Sequence, residues 1–332
     1  EAGYRIKVFD LINREKSDLY NPFDYLKSED DILKLINNLI ANTTPPQSKN
    51  AGDFWEKAET ALLEAIFGYI LFELVPEDRT MGTVMDMLRL AEVREDDENF
   101  KSLLDFVFEE LKETNADAFS VKQYEIFKLA AGKTAKSILV SVGTRLAPFN
   151  INSIRRMVSA DTLELDMIGS EKTALYIILP DTDRSFNFLA AMMLQQMFDI
   201  LIYRADNDYQ GKLPFHVRCM LDEFANIGQI PQLEILISTI RSRGISMDII
   251  VQNLAQIKNL YKDTWEVITG NCDSLLFLGG LEQSTLEYIS KLCGKATIDN
   301  RNSSETKGQN PSYSLQYQNL GRDLITPDEA GA

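Results

Sequence analysis

At Pro148 the hydrophobic period of this 332-residue chain changes, and one packing class cannot serve both sides of that point. From residue 53 to 148 apolar residues recur at helical spacing, and no convincing strand interrupts them. Beyond 148, short β-branched and aliphatic runs alternate with helical stretches. Helices alone bury their apolar stripes against one another. Alternating strands and helices imply a mainly parallel sheet covered on both faces. The chain therefore reads as α/β, with an all-α block ahead of most of its sheet.

In chain order, residues 4–11 (YRIKVFDL) suit a strand, and Asn21-Pro22-Phe23 marks a turn. Residues 30–40 place apolar side chains on one helical face. NTTPPQSKNAG at 42–52 is a breaker and the first plausible domain boundary. Helices are expected over 53–74, 80–90 with Thr80 as cap, 97–113, 118–131 and 133–146. A buried strand follows at 174–179 (ALYIIL), then a helix at 186–203. The alternation continues with strands at 217–221, 246–251 and 273–278, and helices at 230–243, 254–261 and 283–292. The polar stretch 300–318 reads as a mobile loop leading toward Thr326-Pro327-Asp328.

Composition narrows the function classes. A hydrophobic share of 45% excludes wholesale disorder. With 34 basic and 50 acidic residues the net charge is −16, which argues against a uniformly basic nucleic-acid coat. Any polyanion must meet a local basic feature. Cys219, Cys272 and Cys293 are odd in number and widely spaced, so a disulfide scaffold or structural zinc site is not expected. The longest apolar stretch, 61–75, is interrupted by Glu64 and Glu73 and falls short of the roughly 20 residues of a membrane span. The chain opens on EAGYRIKVFDL without an initiator Met, so residues are expected upstream, where an anchor or nucleotide loop would belong.

The residues that carry chemistry cluster after 215. In FHVRCMLDEFANIG a hydrophobic strand ends in Asp222-Glu223. Ligands of α/β sheets bind beyond the carboxyl ends of strands. One carboxylate there can hold a Mg²⁺ that bridges phosphates, and its neighbour can orient or deprotonate water, which is the Walker B arrangement. The bland alternative is an exposed strand end. Arg241 and Arg243 close the next helix, either as cations at its negative end or as charge-stabilising fingers for a phosphoryl group, often from a neighbouring subunit. The strand after them ends in Gln252-Asn253, where an amide can sense a γ-phosphate or a water, or where Asn simply caps a helix. Each signal is weak separately, and their order within one βαβ unit is much more specific.

Gly132-Lys133-Thr134 is a decoy. GxxxxGK[ST] requires Gly at 127, which is Phe, and a helical pattern flanks the segment. Lys133, Lys136 and Arg145 read instead as a solvated basic helix face. REDDE at 94–98 and Glu109-Glu110 are solvated acids or a docking surface for a basic partner. His216, the single histidine, supports no Ser-His-Asp triad.

Together these segments resemble the type IV secretion and conjugation coupling proteins, the TraG/TraD-like ATPases. The resemblance is carried by YNPFDYL (20–26), DFWEKAETALLEAIF (53–67), FKLAAGKTAKSILVSVGTRLAPF (127–149), TALYIILPDTDR (173–184), MLDEFANIGQIPQLE (220–234) and RSRGISMDIIVQNLAQI (241–257). It implies a RecA-like P-loop NTPase domain, formed by residues 1–50 and 149–332, interrupted by an all-α domain over 51–148. It makes Asp222 and Glu223 the Walker B pair, with Asp222 on Mg²⁺ through water. Gln252 becomes the sensor, and Arg241 the better finger with Arg243 second. It implies ATP and Mg²⁺ as cofactors. The protein would be a homo-hexameric motor at the cytoplasmic face of the bacterial membrane, anchored by an N-terminal segment. Its implied partners are relaxase and relaxosome accessory proteins, single- or double-stranded DNA, and secretion-channel components. The Walker A loop and the membrane anchor are missing from the pattern here, so these residues alone are expected to be soluble and not to bind ATP productively. A receptor without catalysis and a related hexameric DNA pump are the alternatives.

Overall fold

The computed structural model describes residues 3–44, 53–94, 100–130, 132–306 and 312–332. It divides into two compact units, Glu1–Ile249 and Ile250–Ala332.

The first unit begins with β1 (Arg5–Asp10). Buried Asp10 closes the strand, its Oδ1 accepting from the backbone N–H of Ile12 and Asn13, both at 2.8 Å. The Asn21-Pro22-Phe23 turn is a 3₁₀ helix, Pro22–Tyr25, whose Asn21 side chain accepts from the Phe23 N–H and donates to the Arg79 carbonyl at 2.9 Å. Phe23 is thereby aimed inward and stacks on Phe67, with ring centroids 5.1 Å apart. Tyr20, fully buried, donates to Gln196, and burial pushes its phenol well above its ordinary range.

Next come α1 (Glu29–Thr43), α2 (Asp53–Glu73), α3 (Met81–Arg89), α4 (Leu103–Thr114), α5 (Phe119–Lys128), α6 (Gly132–Leu146) and α7 (Asn152–Met157). A Ser28–Asp31 capping box starts α1, and Thr80 caps α3 as its sequence predicts. α4 starts at Leu103 rather than at 97, because Ser102 and Asp105 form a capping box and fix the start there. Residues 95–99, including most of the acidic 94–98 run, lie outside the described residues, as does most of the expected boundary at 42–52, of which residues 42 and 43 still belong to α1. α2 is buried nearly all round between 61 and 70 and packs on α1, α3, α5 and α6, which makes it the central helix of this block.

β2 (Thr173–Ile178) then pairs in parallel with β1, from Arg5 opposite Thr173 to Asp10 opposite Ile178. The helices α1 to α7 thus lie between two strands of one sheet. α8 (Asn187–Asn207) packs on α1 and buries Phe188 to Leu194. β3 (Val217–Leu221), α9 (Phe224–Ile227), α10 (Leu233–Thr239) and β4 (Ile245–Ile249) complete the unit, with β3 and β4 parallel. The helix expected over 230–243 is shorter, because its last turn, Ile240–Arg243, is 3₁₀. Both parallel pairs are covered on one face only. Ile6 and Tyr176 are exposed on one pair and Met220 on the other, so the predicted buried strand at 174–179 is half-exposed.

The second unit contains α11 (Leu254–Tyr261), α12 (Trp265–Gly270) and α13 (Gln283–Cys293). Glu282 caps α13, and bonds to the Thr285 hydroxyl and then to Ser284 hold its carboxyl down at about 2. The expected strand 273–278 does not form, since none of the described strands pairs with it and Leu276 and Leu278 face solvent. The expected loop 300–318 is instead most of an antiparallel ribbon, β5 (Lys295–Thr306) with β6 (Ser312–Asp323), whose residues 307–311 are outside the described set. Helix α14 (Pro327–Ala330) follows, capped by Thr326 and Glu329.

Arg145 is the main departure in the helical block. It is not a solvated face residue: its side chain is 9% exposed, and that of Glu59, its ion-pair partner at 2.8 Å, is 6% exposed. Nη1 also donates to the Ile40 carbonyl at 3.2 Å and to the hydroxyls of Thr43 at 2.6 Å and Thr44 at 3.0 Å, which close the end of α1. Ser141 donates to the other Glu59 oxygen. One guanidinium therefore ties α1, α2 and α6. Removing either partner leaves a buried charge, so Arg145→Met or Glu59→Gln each costs about 3–5 kcal/mol. The double variant Arg145→Met/Glu59→Gln costs less than the sum of the two changes, read by urea denaturation.

Candidate functional site

β3 delivers the acidic pair. Cys219 and Leu221 point into the core, Arg218 and Met220 point outward, and the strand ends at exposed Asp222. Arg218 is held by Asp248 of β4 at 2.7 Å. Asp222 Oδ1 accepts from the Glu223 N–H at 3.1 Å. Glu223 itself takes φ 48° and ψ 44°, a left-handed conformation that L side chains adopt at a cost of about 1–2 kcal/mol. Such strain gathers at functional sites, where the surroundings over-determine the backbone. Here the surroundings are the one-turn α9, which buries Phe224 and Ile227, and the Asn226 N–H that donates to the Glu223 carbonyl at 2.7 Å.

The loop beyond α9 is pinned by α1. The Asn42 amide reads the backbone of Gln229 from both sides, Oδ1 accepting from its N–H at 2.7 Å and Nδ2 donating to its carbonyl at 2.8 Å. Asn42 is held in turn by Asn38, which is fully buried and donates to the Ala191 carbonyl of α8 at 3.2 Å. Gly228 turns the chain at φ 104°, and a Cβ there would stand 2.5 Å from Asn42 Oδ1. On the other side of the loop Asn187 donates to the Asn226 carbonyl at 2.6 Å. The buried Oδ1 atoms of Asn187 and Asn226 have no donor among the described residues. These four asparagines were not singled out from the sequence. The available signal was Asn38 and Asn42 one turn apart, interrupting the apolar face of α1.

The arginines lie elsewhere. Val217 pairs with Ile245 and donates its N–H to the Gly244 carbonyl at 3.0 Å, so the turn carrying Arg241 and Arg243 sits at the amino end of the β3–β4 pair. Asp222 sits at the carboxyl end. A five-residue strand separates the two by about 16 Å at roughly 3.3 Å per residue. Arg243 grips Asp206 of α8 with both arms of its fork, at 2.9 and 2.7 Å, and donates to the Thr239 carbonyl at 3.0 Å. Arg241 is exposed. Gln252 belongs to the second unit, where its N–H donates to Gln256 Oε1 at 3.0 Å, and Asn253 caps α11. The structure thus brings Asp222 and Glu223 together and separates Arg241 and Arg243 from them along β3. The Gly132-Lys133-Thr134 segment opens α6, after α5, without the strand a phosphate loop requires. His216 Nε2 meets Ser246 Oγ at 2.8 Å.

Among the described residues no group of three or more His, Cys, Asp or Glu side chains forms a metal cage, and no helix is long and apolar enough to cross a membrane. Burial, then the charge of Asp248, pushes the Cys219 thiol up to about 12, whereas Cys293 is exposed.

The family model described as type IV secretory system conjugative DNA transfer matches residues 1–332. The protein VirD4 of Rhizobium radiobacter is 23% identical over 333 residues, covering 97% of this chain and 45% of its own length. The conjugal transfer protein TraG of Escherichia coli is 23% identical over 331 residues, covering 93% of this chain and 50% of its own. The chain thus spans about half the length of these curated relatives. Among solved structures, the bacterial conjugative coupling protein TrwBΔN70 in complex with sulphate aligns with TM-score 0.65 and 14% identity, covering 100% of this chain and 69% of that one. The plasmid coupling protein TrwB in complex with ADP and Mg²⁺ aligns with TM-score 0.61 and 13% identity, covering 98% of this chain and 68% of that one. The fold is therefore α/β and RecA-like, with an all-α domain, as the sequence predicts.

Two outcomes follow from this geometry. Gly228→Ala, which meets both the left-handed backbone and Asn42, costs more than Gly211→Ala, whose φ of 97° is matched by open space. The difference exceeds about 1 kcal/mol in thermal denaturation. At pH 8, roughly four pH units below the value to which burial pushes its thiol, Cys219 stays protonated and resists iodoacetamide until the chain unfolds, while Cys293 is alkylated in the folded state.

Proposed function

Since the chain belongs to the type IV secretory system conjugative DNA transfer family, we propose that it is the coupling motor of such a system, using ATP hydrolysis to bring relaxase–DNA or protein substrates to a secretion channel. The observation that carries this reading is the acidic pair at the carboxyl end of β3, with Glu223 held in a left-handed conformation by a buried polar frame.

In this reading Asp222 holds Mg²⁺ through water. Its exposed hard oxygens fit that ion, which takes one or two carboxylates together with substrate phosphates and needs no all-protein cage. When bound, Mg²⁺ neutralises charge on the phosphates. Glu223 orients and deprotonates the attacking water, and Gln252 senses the γ-phosphate. Arg241 stabilises the transferring phosphoryl group. The roughly 16 Å along β3 favours supply from a neighbouring subunit of a homo-hexamer, since the turn lies at the far end of the strand from its own Asp222. Arg243 is the second candidate, and its fork on Asp206 favours a role in holding that turn.

Residues 1–50 and 149–332 form the motor domain in this proposal, with 51–148 inserted as the all-α domain. The pairing of β1 with β2 across the helices supports that division. Exposed Leu103, Phe106, Leu129 and Val140 on the helical block suit protein partners such as relaxase and relaxosome factors. Docking at the cytoplasmic face of the bacterial membrane, through an anchor outside these residues, completes the reading.

The test is steady-state ATPase activity of the full-length gene product with DNA present. Glu223→Gln lowers kcat by about 10²–10⁴-fold while nucleotide binding persists. Arg241→Ala lowers kcat, and mixing it with Glu223→Gln subunits restores part of the activity by pairing intact halves. Arg243→Ala lowers melting temperature instead. Unchanged turnover in Glu223→Gln overturns the catalytic assignment.

A further inference from the structure

The helical block contains a pocket of about 510 Å³ between α1, α2 and α5, within the range of small-ligand sites. None of the residues proposed for ATP chemistry lies on these helices. Ile40 and Ala61 are its buried apolar lining, and Ile126, 51% exposed, stands at its rim. Asn37, Thr60 and Gln123 add amide and hydroxyl oxygens. Glu64 lines the same pocket and is only 8% exposed.

Glu64 differs from its neighbour on α2. Glu59 is equally buried and is matched by Arg145 and Ser141. Glu64 accepts no hydrogen bond and makes no ion pair among the described residues, and burial raises its pKa. Its carboxylate oxygens are not sealed inside the protein but open onto the pocket. A ligand N–H that meets them there gains a charge-assisted bond in surroundings of low polarity. We propose that this pocket binds an alkylammonium or guanidinium cation, with Glu64 as its counter-ion.

The lining selects that chemistry. A carboxylate repels anions. A divalent metal would need further carboxylate or imidazole ligands, and no such cluster of three exists among the described residues. An ammonium or guanidinium supplies the N–H groups that Glu64 lacks, and the oxygens of Asn37, Thr60 and Gln123 can accept the others. Ile40, Ala61 and Ile126 suit an alkyl stem. Glu56 and Lys57, both exposed, line the mouth with opposite charges, so Glu64 sets the net negative charge of the lining.

The test is calorimetric titration of the 332-residue chain with agmatine, with N-acetylarginine methylamide, and with pentanamide as a neutral analogue. Agmatine or the arginine derivative binds at least tenfold more tightly than pentanamide. Tighter binding of agmatine identifies a free amine as the natural source, and tighter binding of the arginine derivative a basic peptide. Glu64→Gln loses at least tenfold in affinity for the cations while its melting temperature stays equal or rises, which separates lost binding from lost fold. Ile126→Trp, filling the rim, weakens binding with the fold intact. Equal affinity for pentanamide, unchanged affinity in Glu64→Gln, or no binding at millimolar cation overturns the proposal.

Discussion

The guanidinium of Arg145 fixes the end of α1, and much of the first unit depends on where α1 ends. A buried charge of this kind needs oxygens around it, and Glu59, Ile40, Thr43 and Thr44 give each of its three nitrogens at least one. The cost of dehydrating the pair is offset by bonds that specify a single arrangement of α1, α2 and α6. On another side of the same helix, Asn38 and Asn42 face α8 and the loop after α9. Polar contacts therefore tie α1 to the helical block on one side and to the backbone of Gln229, beyond Glu223, on the other. The loop that carries the acidic pair is positioned by a helix whose end is set far away in sequence, at residue 145.

Strand direction imposes the second constraint. β3 and β4 run parallel, so their carboxyl ends share one edge and their amino ends the other. Asp222 and Glu223 fall on the first edge and Arg241 and Arg243 on the second. No local rotation of a side chain closes a gap of about 16 Å, because even a fully extended arginine spans well under half of a five-residue strand's length. Sequence proximity, fewer than twenty residues between Glu223 and Arg241, gives no hint of this separation, since the intervening chain returns along α10 to the starting edge.

Where sequence reading and structure part, the reason is a partner that the local pattern does not name. Residues 273–278 have strand composition, yet no described strand pairs with them, and a strand exists only through its ladder. Residues 300–318 have loop composition, yet their alternation fits an antiparallel ribbon in which Ile298 faces Leu320 and Arg301 faces Tyr317. In the sequence Arg145 groups with Lys133 and Lys136 as one basic face, yet its nine-residue spacing from Lys136, at about 100° per residue, puts it on the opposite side of α6. Its environment is set by α1 and α2, more than eighty residues upstream at Glu59.

By itself the sequence determined most of the helix and strand order as far as β4, the helical block between the first two strands, and the acidic pair closing β3. Each is written in local periodicity, in caps such as Thr80, and in the abrupt end of an apolar run. The resemblance carried by its motifs also sufficed for the family and the RecA-like fold. Only the tertiary structure decided that Glu59 is buried and answered by Arg145, that Arg243 is held by Asp206, and that the buried acid Glu64 is left open to a pocket. Those outcomes depend on long-range contacts and on dehydration, and a side chain's sequence neighbours encode neither.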